Sequence, residues 1–160
     1  MTNTITKHER NLSSIIHAST FSKFFIPFGN FILPLVLWTA NKKEYDFVDY
    51  NGKQAINFQI SLLLYSMVVG VISIPFFIHT LPDIFNFEFF NFNKLHHLNS
   101  MNFDFNLNNL RFGTWLIPLG ITGLLQTALT IINIIYTILA TIKTNEGETF
   151  KYPFCINFIK

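Results

Sequence analysis

Three stretches of this 160-residue chain contain no aspartate, glutamate, lysine or arginine: Phe24 to Asn41, Gln54 to Pro82 and Gly113 to Ile142. Ordinary soluble domains are about one quarter charged, whereas this chain is 12% charged and 50% hydrophobic. Crossing a hydrocarbon core about 30 Å thick takes about 20 apolar residues in an α-helix. The last two blocks exceed that length and the first nearly reaches it. The expected fold class is all-α: an integral membrane protein forming a single membrane domain over residues 1–160, with about three transmembrane helices.

The pattern along the chain assigns residues 1–13 to a polar, mobile N-terminus and residues 14–40, 54–80 and 114–143 to the membrane helices. Pro27, Gly29 and Pro34 interrupt the first. A proline removes an amide donor and clashes with the preceding turn, so this helix should be kinked or broken near Pro27-Gly29, around Ile26–Asn30. The residues before the break, including His17 and Lys23, suit an amphipathic helix along the interface. A cleaved signal peptide fits poorly, because Trp38 is bulky where a cleavage site wants a small residue. Residues 41–53 read as a polar loop whose Asn51-Gly52 pair signals a turn. In the second helix, Leu, Ile, Val and Phe make up twelve of the twenty residues from Ile60 to His79. At about 0.3–0.6 kcal/mol each, they favour insertion by roughly 4–7 kcal/mol before polar costs. Pro75 is expected to kink its far end.

Residues 81–112 differ in kind, with eight Phe and eight Asn among them. FNFEFFNFN alternates as a strand would, but an isolated hairpin is marginal in water. An interfacial segment on the non-cytoplasmic face is the expectation, followed by the third helix and a tail over 144–160. Loop 41–53 and the tail hold six of the lysines and arginines, and the opposite side five. Short loops weigh most in the positive-inside rule, which puts the short loop and the tail in the cytoplasm. If the first element enters and returns without crossing, the N-terminus changes side.

Polar side chains recur at helical spacing inside the apolar blocks. Thr122, Gln126, Thr130, Asn133, Thr137 and Thr141 lie on one face of the third helix, and Gln54, Asn57, Ser61 and Tyr65 form a row on the second. Gln59 adds a further amide. In lipid an amide without a partner is costly, so these faces should turn toward protein. Each interhelical bond is worth about 0.6 kcal/mol, up to about 2. The residues serve either as packing groups or as the lining of a polar path for a solute.

Function classes narrow by exclusion. No apolar block carries the ionisable residue that coupled transporters bury, although a passive pore stays open. The net charge of +2 gives no basic patch for nucleic acid. His96-His97 near Asp83, Glu88, Asp104 and His79 lacks a metal-site spacing, so no metal and no cofactor are expected. Cys155, the single cysteine, has no activating neighbour in sequence and reads as an apolar filler. No catalytic residue is assigned, and the chain reads as a non-enzyme.

Three blocks carry a family resemblance: FFIPFGNFILPLVLW (24–38), FVDYNGKQAINFQIS (47–61) and ATIKTNEGETFKYPF (140–154). They resemble, in order, the hallmarks of bacterial domain-of-unknown-function family 4870, grouped with the magnetosome proteins MamF and MmsF and distantly similar to the chloroplast import component of the Tic-twenty type. The matching residues are Pro27, Gly29, Pro34, Trp38, Asp49, Gly52, Lys53, Asn57, Phe58, Gln59, Tyr152 and Pro153. Segment 81–112 is longer than the family's usual link, and Phe150 stands where Tyr is common. The resemblance implies a small multi-pass protein of the bacterial inner (cytoplasmic) membrane, with no implied reaction. On this reading Gly52 permits the turn, Trp38 anchors at the interface, and Asn57, Gln59, Gln126, Thr130 and Asn133 are structural packing residues. The expected partners are membrane lipid and other membrane subunits, reached through 81–112. The expected role is an accessory or scaffold subunit of a larger membrane assembly, with a translocon-like pore as the alternative.

Overall fold

The computed structural model describes residues 5–84 and 112–160. The described part is all-α, with four helices: α1 (Lys7–Ser19), α2 (Gly29–Asn41), α3 (Asp46–Ile84) and α4 (Phe112–Glu146). A 3-10 helix, Thr20–Phe24, follows α1. Two stretches are long and apolar enough to cross a membrane, Asp46–Pro75 and Pro118–Glu146. The block at 14–40 does not make a third. It is shared among α1, the 3-10 helix and α2, and the 13 residues of α2 rise only about 20 Å.

The described residues form two compact units: Met1–Ser66 with Ala128–Lys160, and Met67–Thr127. In the second unit the helices meet through the Ser73 and Thr122 hydroxyls, 2.8 Å apart. Many of its apolar side chains, among them Met67, Val71, Ile72 and Leu124, are exposed on the protein's outside, as expected where lipid is the solvent. The first unit holds the buried core, with Ile16, Trp38, Val48, Ala55 and Ile56 in one cluster and Phe58, Leu62, Ala140 and Tyr152 in another.

The expected mobile N-terminus is instead a helix from Lys7 onward. Thr6 and Glu9 form a capping box: the Thr6 hydroxyl accepts from the Glu9 N–H at 3.2 Å, and the Thr6 N–H donates to the Glu9 carboxylate at 3.2 Å. Two of the N–H groups a helix start leaves unpaired are thereby satisfied. Ser13, Ile16, His17 and Thr20 are buried, a spacing that places them on one face.

The break near Pro27-Gly29 is present. Phe28 takes a left-handed conformation at φ 59°, and the chain reverses there into α2. The turn expected at Asn51-Gly52 is absent, because α3 already begins at Asp46 and both residues lie inside it. Gly52 serves a close helix contact: a Cβ there would fall 2.8 Å from Trp38 Cβ and 2.5 Å from Cγ. Trp38 accordingly packs in the core, 6% exposed. α3 continues helical through Pro75. α4 ends at Glu146, just before Gly147; the Glu148 N–H bonds the Lys143 carbonyl and the Gly147 N–H bonds that of Thr144, the paired bonds of a Schellman motif. The tail is irregular beyond it. The interfacial segment expected at 81–112 lies outside the described residues, save for its helical ends.

Candidate functional site

The most specific sequence block, 47–61, opens α3 inside the first unit, and its polar side chains are mostly buried. A buried amide without partners costs about 1–3 kcal/mol, so their partners define the site. Gln59 and Asn133 exchange bonds across α3 and α4. The Gln59 Nε2 donates to Asn133 Oδ1 at 3.4 Å, and Asn133 Nδ2 donates to Gln59 Oε1 at 3.2 Å. Asn30 of α2 donates to the same Gln59 oxygen at 3.0 Å, and the Thr137 hydroxyl donates to Asn133 Oδ1 at 3.2 Å. Three helices meet at one pair of amides.

In a second chain of bonds the hydroxyl of Tyr152, from the tail, lies 2.9 Å from His17 Nδ1. His17 Nε2 is 3.3 Å from Asn51 Oδ1. Tautomers follow from the neighbours. Asn51 Nδ2 donates to the Phe47 carbonyl at 2.9 Å, so Asn51 presents its oxygen to His17. Nε2 therefore carries the proton, and Nδ1 accepts from the Tyr152 hydroxyl. The Thr144 hydroxyl lies at 3.5 Å from the same Asn51 oxygen. The whole line is buried. Burial pushes the His17 imidazole down to about 4, against a smaller upward pull from its bond to Asn51. Burial likewise holds the Tyr152 phenol far above its ordinary range. Tyr152 is fixed further by Phe58, stacked at 4.0 Å between ring centroids, and by Phe150 edge-on at 5.0 Å.

A second row on α3 meets the tail, not a helix. Asn57 Nδ2 donates to the Ile159 carbonyl and its Oδ1 accepts from the Ile159 N–H, both at 2.9 Å. Ser61 accepts from the Ile156 N–H at 2.8 Å, and the Tyr65 hydroxyl donates to the Phe154 carbonyl at 2.7 Å. The irregular tail has no ladder of its own, so these side chains supply the partners its backbone requires.

The other motif residues form a charged cluster at the start of α3. Trp38 Nε1 donates to Asp49 Oδ1 at 2.9 Å, Asp49 pairs with Lys53 at 2.6 Å, and the Lys42 ammonium lies 4.4 Å over the Trp38 ring. Residues far apart in the sequence blocks are thus neighbours here: Trp38 with Asp49 and Gly52, and Tyr152 with Phe58.

Of the expected stripe on α4, Asn133 and Thr137 are buried, Thr141 and Gln126 are half-buried, and Thr130 is exposed. Gln126 belongs to the second unit and Thr130 to the first. His17, Asn51 and Thr144 were not singled out as partners by spacing. Burial pushes the Cys155 thiol up, away from a reactive thiolate. His96 and His97 lie outside the described residues, and among the described residues no group of three metal-ligating side chains gathers.

What the arrangement does chemically is lock segments together. Replacing Gln59 by leucine should lower stability by about 1–3 kcal/mol, because the Asn133 and Asn30 amides lose their partner. Replacing both Gln59 and Asn133 by leucine should cost less than the sum of the two single changes. Thermal melting of the four proteins in micelles measures this, and strict additivity would remove the amide pair from the account.

In comparison with known proteins, a family model described as the magnetosome magnetite crystal formation protein family (MamF/MmsF) fits residues 8–159. No curated protein and no solved structure matches.

Proposed function

Because this chain belongs to the magnetosome magnetite crystal formation protein family, we propose that it is a small non-enzymatic accessory subunit, a scaffold within a larger assembly of a bacterial inner membrane. The observation that supports this most is a largely buried polar network in two arms that share α3, Asn30–Gln59–Asn133–Thr137 and Tyr152–His17–Asn51. It binds α1, α2, α3, α4 and the tail into one unit, with its polar capacity spent internally. A rigid platform of this kind presents its outer surfaces to lipid and to neighbouring subunits.

In this reading α3 and α4 are the two crossings of a multi-pass protein, and α2 is too short to be a third. The segment between the crossings is the surface offered to partner subunits. The pore alternative would need water at Gln126, Thr130 and Asn133. The Asn133 amide is engaged by Gln59 and Thr137, which favours the scaffold.

Photo-reactive residues placed between 85 and 111, followed by mild-detergent extraction from native membranes, test the proposal. A defined heteromeric complex cross-linked through that segment is expected. Recovery of a lone monomer with no cross-link would refute it. Rapid modification of cysteines at positions 126, 130 and 133 by a water-soluble reagent would turn the reading to a pore.

A further inference from the structure

We infer that residues 7–42 form a re-entrant hairpin that enters one leaflet and returns, its aromatic tip seated among lipid acyl chains and its N-terminus on the same face as the tail. The inference rests on the reading of α3 and α4 as crossings.

The chain's own contacts give the depth of each point of the hairpin. At its outer end, the His8 and Tyr45 rings lie 5.6 Å apart, and the Arg10 side chain lies against Gly147. One turn on, the Ser14 hydroxyl donates to the Thr141 carbonyl at 2.9 Å. Next, His17 meets Asn51. Past the reversal at Phe28, Asn30 meets Gln59. α2 then climbs back, and Trp38 meets Asp49 and Gly52. Contacts therefore descend from Tyr45, just before α3, to Gln59 within it and return to Asp49. Both ends of the hairpin lie at one end of the first unit, beside Asp46, Lys53 and Lys143.

The depth fits one leaflet. Gln59 lies six residues beyond Lys53, the last charge before the apolar run, or about 9 Å along the helix. Half of a hydrocarbon core is about 15 Å. At the tip, Phe25 is 88% exposed and Phe28 70%, with Phe24 and Ile26 exposed beside them. Leu63 and Leu64 of α3 and Ile135 and Ile138 of α4, in the same unit, are exposed too, so the apolar surface of the tip continues that of the crossings. Lys23 is the cation nearest the tip; its ammonium lies 5.1 Å from the Phe24 ring centre, and its stem is long enough to carry the charge toward the headgroups. Backbone polar groups at membrane depth must be satisfied within the protein. Here the 3-10 helix is followed by bonds from the Phe25 and Ile26 N–H groups to Ser22 and from Gly29 N–H to Ile26, so the reversal satisfies much of its own backbone.

The test uses the full chain with Cys155→Ser, expressed in bacterial membranes, and single cysteines Lys7→Cys, Thr149→Cys, Phe25→Cys and Ser100→Cys. A membrane-impermeant maleimide is applied to spheroplasts or to inverted vesicles. Lys7→Cys and Thr149→Cys should label from the same face, Ser100→Cys from the other, and Phe25→Cys from neither. A nitroxide on Phe25→Cys should collide with oxygen and not with a nickel chelate, as a lipid-exposed site does. Labelling of Lys7→Cys from the face opposite Thr149→Cys would overturn the hairpin, since the first element would then cross. Labelling of Phe25→Cys in water, or its protection from both oxygen and nickel, would overturn the lipid-seated tip. If Ser100→Cys and Thr149→Cys share a face, the two-crossing reading itself has failed, an outcome separate from the other two.

Discussion

Replacing Gly52 by alanine is expected to lower the melting temperature in micelles, even though alanine is the better helix former by about 1 kcal/mol. The new Cβ would fall inside 3.0 Å of three Trp38 atoms, Cβ, Cγ and Cδ1. Cβ and Cγ are the root of the side chain, and swinging the ring about χ2, which would carry Cδ1 away, leaves both in place. Escape by rotation about χ1 would break the bond from Trp38 Nε1 to Asp49 and expose a buried indole. The remaining route is to push α2 off α3. Overpacking of this kind costs about 1–3 kcal/mol, before the lost hydrogen bond is added, so the loss outweighs the propensity gain. Leucine at position 52 should do more, separating the two helices. Trp115→Phe leaves Trp38 as the sole tryptophan, and its emission then reports the separation. Pairing Gly52→Ala with Trp38→Ala should cost less than the sum of the two changes. A Gly52→Ala protein that melts higher than the parent would show that α2 and α3 do not pack as described.

Acid should loosen the same unit through His17. In the unfolded chain the imidazole titrates near its ordinary 6.5, while in the folded protein burial lowers it to about 4. Between those values the unfolded state binds more protons, so stability rises with pH there. The contribution is full above about 6.5, is lost progressively as pH falls toward 4, and does not decline further below that. The gap corresponds to about 3 kcal/mol across the window. The proton would have to enter at Nδ1, where the Tyr152 hydroxyl now donates. Protonation therefore breaks the link between α1 and the tail as well as burying a charge. His17→Gln keeps a donor toward Asn51 and an acceptor toward Tyr152 but cannot titrate. Melting curves of parent and variant from pH 7 to pH 4 should diverge, with the parent falling faster. Parallel curves would mean that His17 is charged or solvated in the folded protein.

The local chemistry of the chain made some of this structure readable in advance. Charge-free runs after Gln54 and Gly113 identify the two long helices, because lipid penalises unpaired charge at any position in them. Pro27 and Gly29 mark the reversal, since neither sustains a helix interior well. The capping box of Thr6 and Glu9 was equally readable, but the polar character of residues 1–13 masked it. Asn51-Gly52 misled, because the pair that favours a turn is here used for close packing: Asn51 bonds back to Phe47 within the helix, and Gly52 admits Trp38.

By itself the sequence determined which groups must be satisfied away from lipid: Asn57, Ser61 and Tyr65 on one face of α3, Gln59 on another, and Asn133 and Thr137 on one face of α4. Only the tertiary structure decided their partners. Gln59 takes Asn133, 74 positions away, Asn57 takes Ile159, 102 away, and His17 takes Tyr152, 135 away. The reason is physical. The cost of an unpaired amide is a property of the amide and its local surroundings, whereas the identity of its partner depends on how distant segments pack. Many donors and acceptors would meet the same chemical need, and the packing around Trp38, Gly52, Phe58 and Tyr152 selects among them.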